Sequence, residues 1–352
     1  MKILVTGKYE PEYNRNHVLL RGLESRGVEI IEYPYKKRNT VSKIKIKALA
    51  VDCDLIFLPS FTHLDVPFVR RISDKPLVFD PLISRYLSKV FDYKAVWRFS
   101  PRALKNYLKD SRAFKRSDLI LADTESHKEY YCKQFGISPQ KIAVVHVGVH
   151  TGDFYRQTTK IKSNDKIIIG FYGSFIPLHG IEKIIAAAKI LEHKEKLEFR
   201  LYGNGPGFEK IKKSIEALGL KNTILEGWID YSSLNDAINE MHICLGIFGD
   251  SLKAELVIPN KIYHYAACGI PTITNDTRGI KEIFEDEKNI ILSQNTPESL
   301  AQLILNLSEN ESLRKKIGKN SCELITTSYN EMMIAEEFLQ GLKKILPSKE
   351  RT

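Results

Sequence analysis

The sequence predicts an α/β protein made of two Rossmann-like, doubly wound domains in tandem. Three observations carry this. Short apolar runs alternate with helix-spaced segments from the first residues onward. The alternation stops in a polar stretch, 151–165, that ends TTKIKSND and has no period. It then restarts at Lys166 with a strong apolar run. Alternating β and α segments imply parallel sheets with helices on both faces. The break places the domains at 1–163 and 164–330, with a tail over 331–352.

In the first half, Ile3–Thr6 reads as a strand and Asn14–Arg26 as a helix whose Val18, Leu19 and Leu23 share a face. Gly27 stops that helix and Val28–Tyr33 is a second strand, which makes a right-handed β-α-β unit. The pattern continues with a strand at Leu55–Leu58, a helix at Asp65–Ile72 and a strand at Leu77–Phe79. A helix at Arg102–Lys115, a strand at Leu119–Ala122, a helix at Glu125–Phe135 and a strand at Ile142–Val145 complete the first domain.

The second half repeats the plan. Lys166–Phe171 is a strand, and Gly180–Leu191 a helix with Ile181, Ile184, Ile185, Ala188 and Leu191 turned inward. Leu197–Tyr202 is a strand that runs through a Gly-rich turn, Gly203–Gly207, into a helix at Phe208–Leu218. Strands follow at Ile224–Leu225 and Ile243–Phe248. Pro259 opens a short helix that ends at Cys268–Gly269, and Ile270–Thr274 is a buried strand. Asn275–Phe284 is a loop with a short helix, Leu300–Leu307 a helix, and Glu331–Ile345 an amphipathic helix.

Composition sets bounds. With 352 residues, 43% of them hydrophobic and 27% charged, the chain is a globular protein long enough for two cores. No apolar run approaches the roughly 18 residues of a membrane span. The start reads as a first strand rather than a signal peptide, so a cytoplasmic protein is expected. The five cysteines are scattered, with no CxxC pair, which argues for reduced thiols and against a metal or disulfide framework. Residues 1–163 hold 30 Lys and Arg against 17 Asp and Glu, while the rest holds 23 against 26. The first half therefore carries all of the basic excess, which suits an anionic partner: a phospholipid surface, a lipid phosphate or nucleic acid. A solvated Lys-rich surface is the plainer alternative.

Ligands of open α/β sheets bind past the carboxyl ends of the strands. In the first half this singles out Gly7–Arg15, which lacks GxGxxG, then His63 and Asp80. His63 is otherwise a packing residue, and Asp80 before Pro81 a turn cap. Between Arg85 and Arg116, basic residues mix with Tyr86, Phe91, Tyr93, Trp97, Phe99 and Tyr107. That segment is either a membrane-interface element or a helical hairpin with its rings inward. In the second half, Gly203 and Gly205 make a sharp turn that alone is a weak signal. Ser174 and His179 flank a helix start where N–H groups meet anions. The N-terminus of the helix that begins near Asn260, with Lys261 beside it, is suited to a phosphate.

At this point the second half resembles the retaining nucleotide-sugar glycosyltransferases of family 4, which have the GT-B fold. Four segments carry the likeness, in the family's order: Ile169–Gly180, Leu201–Pro206, Ile258–Lys261 through Cys268–Pro271, and Asp276–Glu282. In the first half Val78–Ser84, Ser117–Thr124 and Val145–Val149 agree. The resemblance implies two Rossmann-like domains facing across a cleft, with the tail helix crossing back to the first. It implies a donor site on the second domain, with Gly203, Gly205 and Trp228 near base and ribose. Lys261, Ser174 and His179 would bind the diphosphate, Asn260 and His264 would contact ribose or phosphate, and Glu282 would mark the next helix. Asp80 and His63 would lie on the acceptor side, as the catalytic candidates.

Four positions depart from the family's pattern. Ser174 and His179 stand where Arg and Lys are usual, and His264 stands where a Glu usually holds the ribose hydroxyls. Eight residues before His264, where another Glu is common, stands Leu256, next to Glu255. The expectation is a metal-independent, retaining, hexosyltransferase-like glycosyltransferase. Its co-substrate would be a nucleoside-diphosphate sugar, with no other cofactor. Its acceptor would be a lipid-linked glycan or polysaccharide of cell-surface biosynthesis, and its place the cytoplasm or the cytoplasmic membrane face. A non-catalytic GT-B nucleotide- or partner-binding protein is a second reading, motivated by the substitutions at Ser174, His179 and His264. A nucleic-acid-binding protein is a third, motivated only by the charge.

Overall fold

A computed structural model describes residues 1–157 and 165–346 of the chain. These form two compact units, one comprising Met1–His150 with the chain from Tyr329 onward, the other Thr151–Ser328. The polar stretch set the expected boundary at 163, and residues 158–164 lie outside the described ones. The unit boundary falls earlier because 151–157 is tied to the second unit. Asn235 and Asn239 accept hydrogen bonds from the backbone N–H groups of Tyr155 (3.1 Å) and Gln157 (2.9 Å).

The first unit holds six strands: β1 (Lys2–Gly7), β2 (Glu29–Pro34), β3 (Leu55–Leu58), β4 (Leu77–Phe79), β5 (Leu119–Ala122) and β6 (Ile142–Val144). All pair in parallel, in the order β2-β1-β3-β4-β5-β6. Strands β3, β4 and β5 are buried throughout, as expected of central strands covered on both faces.

The second unit also holds six parallel strands: β7 (Ile167–Tyr172), β8 (Leu197–Tyr202), β9 (Thr223–Gly227), β10 (Ile243–Leu245), β11 (Thr272–Asn275) and β12 (Ile291–Ser293). Their order is β12-β11-β10-β7-β8-β9. The chain winds outward from β7 to β9 and then starts again on the other side of β7. The switch point therefore lies between β7 and β10, where such sheets bind ligands.

The tail belongs to the first unit. Its helix, Glu331–Leu342, buries Ile334, Ala335, Phe338 and Leu342 in the same core as Val5, Leu23 and Phe57. The Phe57 and Phe338 rings meet edge to face, 5.4 Å apart. Gly22, on the helix Asn14–Ser25, makes this approach possible: a Cβ there would lie 1.9 Å from the Glu331 carbonyl oxygen.

Some elements differ from the sequence expectation. The helices Thr40–Ala50, Tyr231–Glu240 and Glu311–Ser328 and the strand β12 have no counterpart in it. Thr40–Ala50 buries only Ser42, Ile46 and Ala50, and Glu311–Ser328 buries Ile317, Gly318, Ser321 and Ile325. Stripes so thin, and half polar, carry little hydrophobic period. The helix expected at Asp65–Ile72 is the single turn Val66–Val69. In the aromatic and basic segment, Tyr86 packs on Phe91 and Tyr107, while Tyr93, Trp97 and Phe99 are exposed. The segment is thus neither wholly inward nor wholly outward. Among the described residues no helix is long and apolar enough to cross a membrane. All five cysteines are free thiols.

Candidate functional site

The carboxyl edge of the second sheet brings together most of the residues singled out in that half. Loop 173–180 follows β7 and is bonded to the loop that follows β10. The Phe248 N–H donates to the His179 carbonyl and the Gly249 N–H to that of Leu178, both at 3.1 Å. Gly203, after β8, lies so close to Gly173 that a Cβ on it would sit 2.0 Å from the Gly173 carbonyl oxygen. Its N–H donates to the Gly227 carbonyl at 2.6 Å, which brings the end of β9 and Trp228 alongside. Gly205 also packs closely, with a Cβ on it 2.8 Å from the Phe175 backbone nitrogen. These glycines let four loops close over the switch point.

Lys261 stands on the helix Asn260–Ala267, in its first turn, whose N–H groups have no partner within the helix. Its side chain is 3% exposed, and its Nζ makes no hydrogen bond. The amine lies 4.0 Å above the centre of the Phe171 ring and 5.9 Å from that of Tyr172. Burial holds it well below the usual lysine value. A Cβ on Gly173, where φ is +144°, would lie 2.9 Å from Lys261 Nζ and 3.0 Å from His179 Cε1. The amine and the imidazole thus converge on one point above Gly173.

His179 is buried, and its Nδ1 is hydrogen-bonded to the Ser174 carbonyl. Burial first, then the Lys261 charge, hold its imidazole well below the usual histidine value. Ser174 itself is exposed and Asn260 half-buried. Two titratable side chains, a helix N-terminus and glycine backbone meet at this point. It fits an anion with oxygens on several sides.

His264 is placed otherwise. Its ring is stacked on Phe154 at 3.7 Å, and its Nδ1 is hydrogen-bonded to the Tyr172 hydroxyl at 2.6 Å. Burial pushes its imidazole down to about 3, so it is neutral. It is spent on these contacts with Phe154 and Tyr172 rather than presented on an open surface. Trp228 is 74% exposed, with its Nε1–H 3.3 Å from Asp230. Glu282 is half-buried on the single turn Ile280–Glu282, next to Gly279, whose N–H donates to the Glu255 carbonyl at 2.9 Å.

In the first unit, Asp80 and His63 are both buried at the carboxyl edge of the sheet. The Asp80 carboxylate accepts from Arg15 Nε at 2.6 Å and from the Leu82 N–H at 2.8 Å. Arg15 also donates to the carbonyls of Val145 and His146, both at 2.8 Å. Asp80 is thus the anchor of a buried clamp joining the helix Asn14–Ser25 to the ends of β4 and β6. His63 lies 3.7 Å from Asp110 and edge-on to Phe79. Burial pushes the His63 imidazole down to about 3 and the Asp110 carboxyl up to about 7.

Several of these residues carry no local sequence signal. Arg15 and Asp80 are 65 positions apart, and the Phe171 floor beneath Lys261 reads only as part of a strand. One had a signal that went unused. Asp123 and His127, at i and i+4, form a buried pair at 2.6 Å.

Comparison with known proteins bears on this site. Residues 153–323 match the family model of the glycosyl transferases group 1. An uncharacterized glycosyltransferase of Methanocaldococcus jannaschii is 25% identical over 243 residues, which span 66% of this chain and 60% of that protein. The poly(ribitol-phosphate) alpha-N-acetylglucosaminyltransferase of Staphylococcus aureus is 24% identical over 253 residues, 65% of this chain and 47% of that protein. The matches therefore span about half to three-fifths of these relatives. The crystal structure of Anabaena HepE in complex with UDP and glucose superposes with a TM-score of 0.76 at 14% identity, covering 98% of this chain and all of that one. That likeness establishes the α/β fold with two parallel sheets, shared with GT-B glycosyltransferases. The family-model match covers just under half of the chain, so what it and these relatives show is a similarity to the group 1 glycosyl transferases.

Proposed function

We propose that this protein transfers a sugar from a nucleoside-diphosphate sugar to an acceptor, with retention of anomeric configuration. The observation that carries the reading is Lys261. An amine 3% exposed and without a hydrogen-bond acceptor is costly in a fold unless an anion completes it. It lies at a helix N-terminus, beside His179 and at the switch point of the sheet, which suits a diphosphate. The HepE structure, of similar fold, holds UDP and glucose.

The chemistry asks little of side chains. Departure of the nucleoside diphosphate builds negative charge, which Lys261, His179 and the first-turn N–H groups stabilise. Donor and acceptor are aligned and water is excluded. A leaving phosphate oxygen takes the acceptor proton on the same face, so retention needs no protein nucleophile. With Lys261, His179 and the helix N-terminus facing the diphosphate, no divalent metal is required. Trp228, exposed beside Gly203, offers a face to the base. Ser174, Asn260 and Glu282 border the same edge, whereas Asp80 and His63 act by shaping the acceptor-side edge of the first unit. The acceptor is a lipid-linked glycan or polysaccharide; the S. aureus relative's acceptor is a phosphate polymer, and the basic first half suits such anions. The site of action is the cytoplasm, at the inner face of the membrane.

The test is calorimetry with a panel of nucleotide sugars, followed by transfer to membrane lipid extract in EDTA and anomeric assignment of the product by NMR. Micromolar to millimolar donor binding and a retained anomer in EDTA are expected. An inverted product, or transfer abolished by EDTA and restored by a divalent ion, overturns the mechanism. A second reading, a nucleotide-binding protein without turnover, is favoured by one observation: His264 is packed under Phe154 where the family pattern has an acidic residue. Donor binding without product selects it.

A further inference from the structure

The aromatic and basic segment of the first unit carries a surface that the glycosyl-transfer reading does not use. The helix Pro101–Arg116 follows a loop that turns Trp97 and Phe99 outward, 71% and 74% exposed, with their rings edge to face at 5.4 Å. On the helix, Leu104 and Leu108 are one turn apart and also exposed, at 58% and 39%. The exposed charges of this segment are all cationic, among them Lys94, Arg98, Arg102, Lys105 and Arg112. Its two acidic residues, Asp92 and Asp110, are both buried. The Arg98 guanidinium lies 5.6 Å from the centre of the Phe99 ring, so a cation is held against the aromatic tip.

Two large aromatics and a leucine pair left in water are a cost that packing elsewhere does not remove. Their frame fits one environment. Trp and Phe settle at the headgroup level of a bilayer, leucines reach the acyl boundary, and flanking Lys and Arg meet anionic headgroups. Nucleic acid fits less well. It has no use for an aliphatic pair, and the T-shaped Trp97–Phe99 pair presents no stacked platform for bases.

We propose that the surface formed by Trp97, Phe99, Leu104 and Leu108 with its ring of Lys and Arg docks the protein on an anionic lipid bilayer. This gives the membrane part of the reading above a defined surface and rests on it only for biological sense. The assay below does not depend on catalysis, and donor binding is followed separately.

The test uses the full chain and vesicles of phosphatidylcholine with 30% phosphatidylglycerol, against pure phosphatidylcholine. Sedimentation is expected with the anionic vesicles and to fall steeply as salt is raised. The chain has two tryptophans, Trp97 and Trp228, so Trp228→Phe leaves Trp97 as sole reporter. Its emission is expected to shift to the blue on binding and to be quenched by brominated lipid. Trp97→Ser with Phe99→Ser should weaken partitioning about tenfold or more. Lys105→Glu with Arg112→Glu should do likewise, and neither pair should change UDP affinity. The proposal fails if the wild type does not bind anionic vesicles. It fails if Trp97 is unquenched, or if both pairs bind as the wild type does. It also fails if a single-stranded oligonucleotide binds more tightly than vesicles and loses affinity in the same variants.

Discussion

Lys261 is where the fold's stability and its proposed chemistry pull in opposite directions. Without an anion its amine is buried and unpaired, so replacing it by an apolar chain of similar length relieves a cost. Lys261→Met should leave the melting temperature unchanged or higher. The same change removes a charge-assisted bond to phosphate, of about 1.5–3 kcal/mol, and so should weaken UDP binding roughly 10- to 100-fold. Thermal melts and calorimetry on one preparation check both; a destabilised variant with normal affinity would sink the assignment. His179 adds a pH dependence. Its imidazole is depressed by burial, then by Lys261, with Lys253 adding to the effect. It is therefore neutral in the empty site at neutral pH, while its Nδ1 faces the Ser174 carbonyl. A bound diphosphate, which stays dianionic in a nucleotide sugar, raises that value. Between the two values binding takes up a proton, so affinity rises as pH falls, by up to about tenfold per pH unit for each proton. Lys261, whose amine burial also depresses, acts in the same direction. Calorimetry in buffers of differing ionisation heat measures the uptake, and His179→Gln should reduce it; a pH-independent wild type contradicts the model.

At the scale of elements, the strands were largely legible because each is a short apolar run set off by Gly, Pro or polar residues. Helices with thick apolar faces, such as Ile181–Ile190, were legible for the same reason. Those with sparse buried positions were not. In the candidate site, the short helix that carries Lys261 was readable from Pro259 and Gly269, whose helix-start and helix-stop chemistry is local. The role of His264 was not readable, because Phe154 covers it from 110 positions away. Asp80 likewise looks like a free carboxylate until Arg15 is seen beside it. Gly22 shows how far such long-range constraint reaches. Nothing around it in the sequence marks it as special, yet the tail helix packs against it with no room for a methyl group. Gly22→Ala should gain helix propensity but lose more by forcing the Glu331 backbone away, for a net loss of about 1–3 kcal/mol. Urea unfolding followed by circular dichroism checks the sign. A stabilised Gly22→Ala would mean that the tail helix does not bear on the first unit as described.

At the scale of the molecule, the chain is one α/β unit inserted into another. The first unit is discontinuous, since its core needs the tail residues Ile334, Ala335, Phe338 and Leu342. The second is a continuous stretch with its own core. The junctions are adjacent: Val149, just before the inserted unit, is bridged in parallel to Asn330, just after it. An insertion whose ends meet in this way can be removed without stretching either part. Residues 151–328 alone should therefore fold cooperatively. They should also bind UDP, because Ser174, His179, Gly203, Trp228, Lys261 and Glu282 all lie within them. Residues 1–150 alone should not fold, having lost the helix that seals their core. Joining 1–150 to 329–352 through a short Gly-Ser linker should restore folding. Circular dichroism, urea unfolding and calorimetry with UDP on the three fragments decide this. If 151–328 folds but does not bind UDP, affinity requires groups from the first unit, and the assignment of the diphosphate to Lys261 and His179 alone is wrong. If 1–150 folds as stably as the linked form, the tail helix is a covering rather than part of the core.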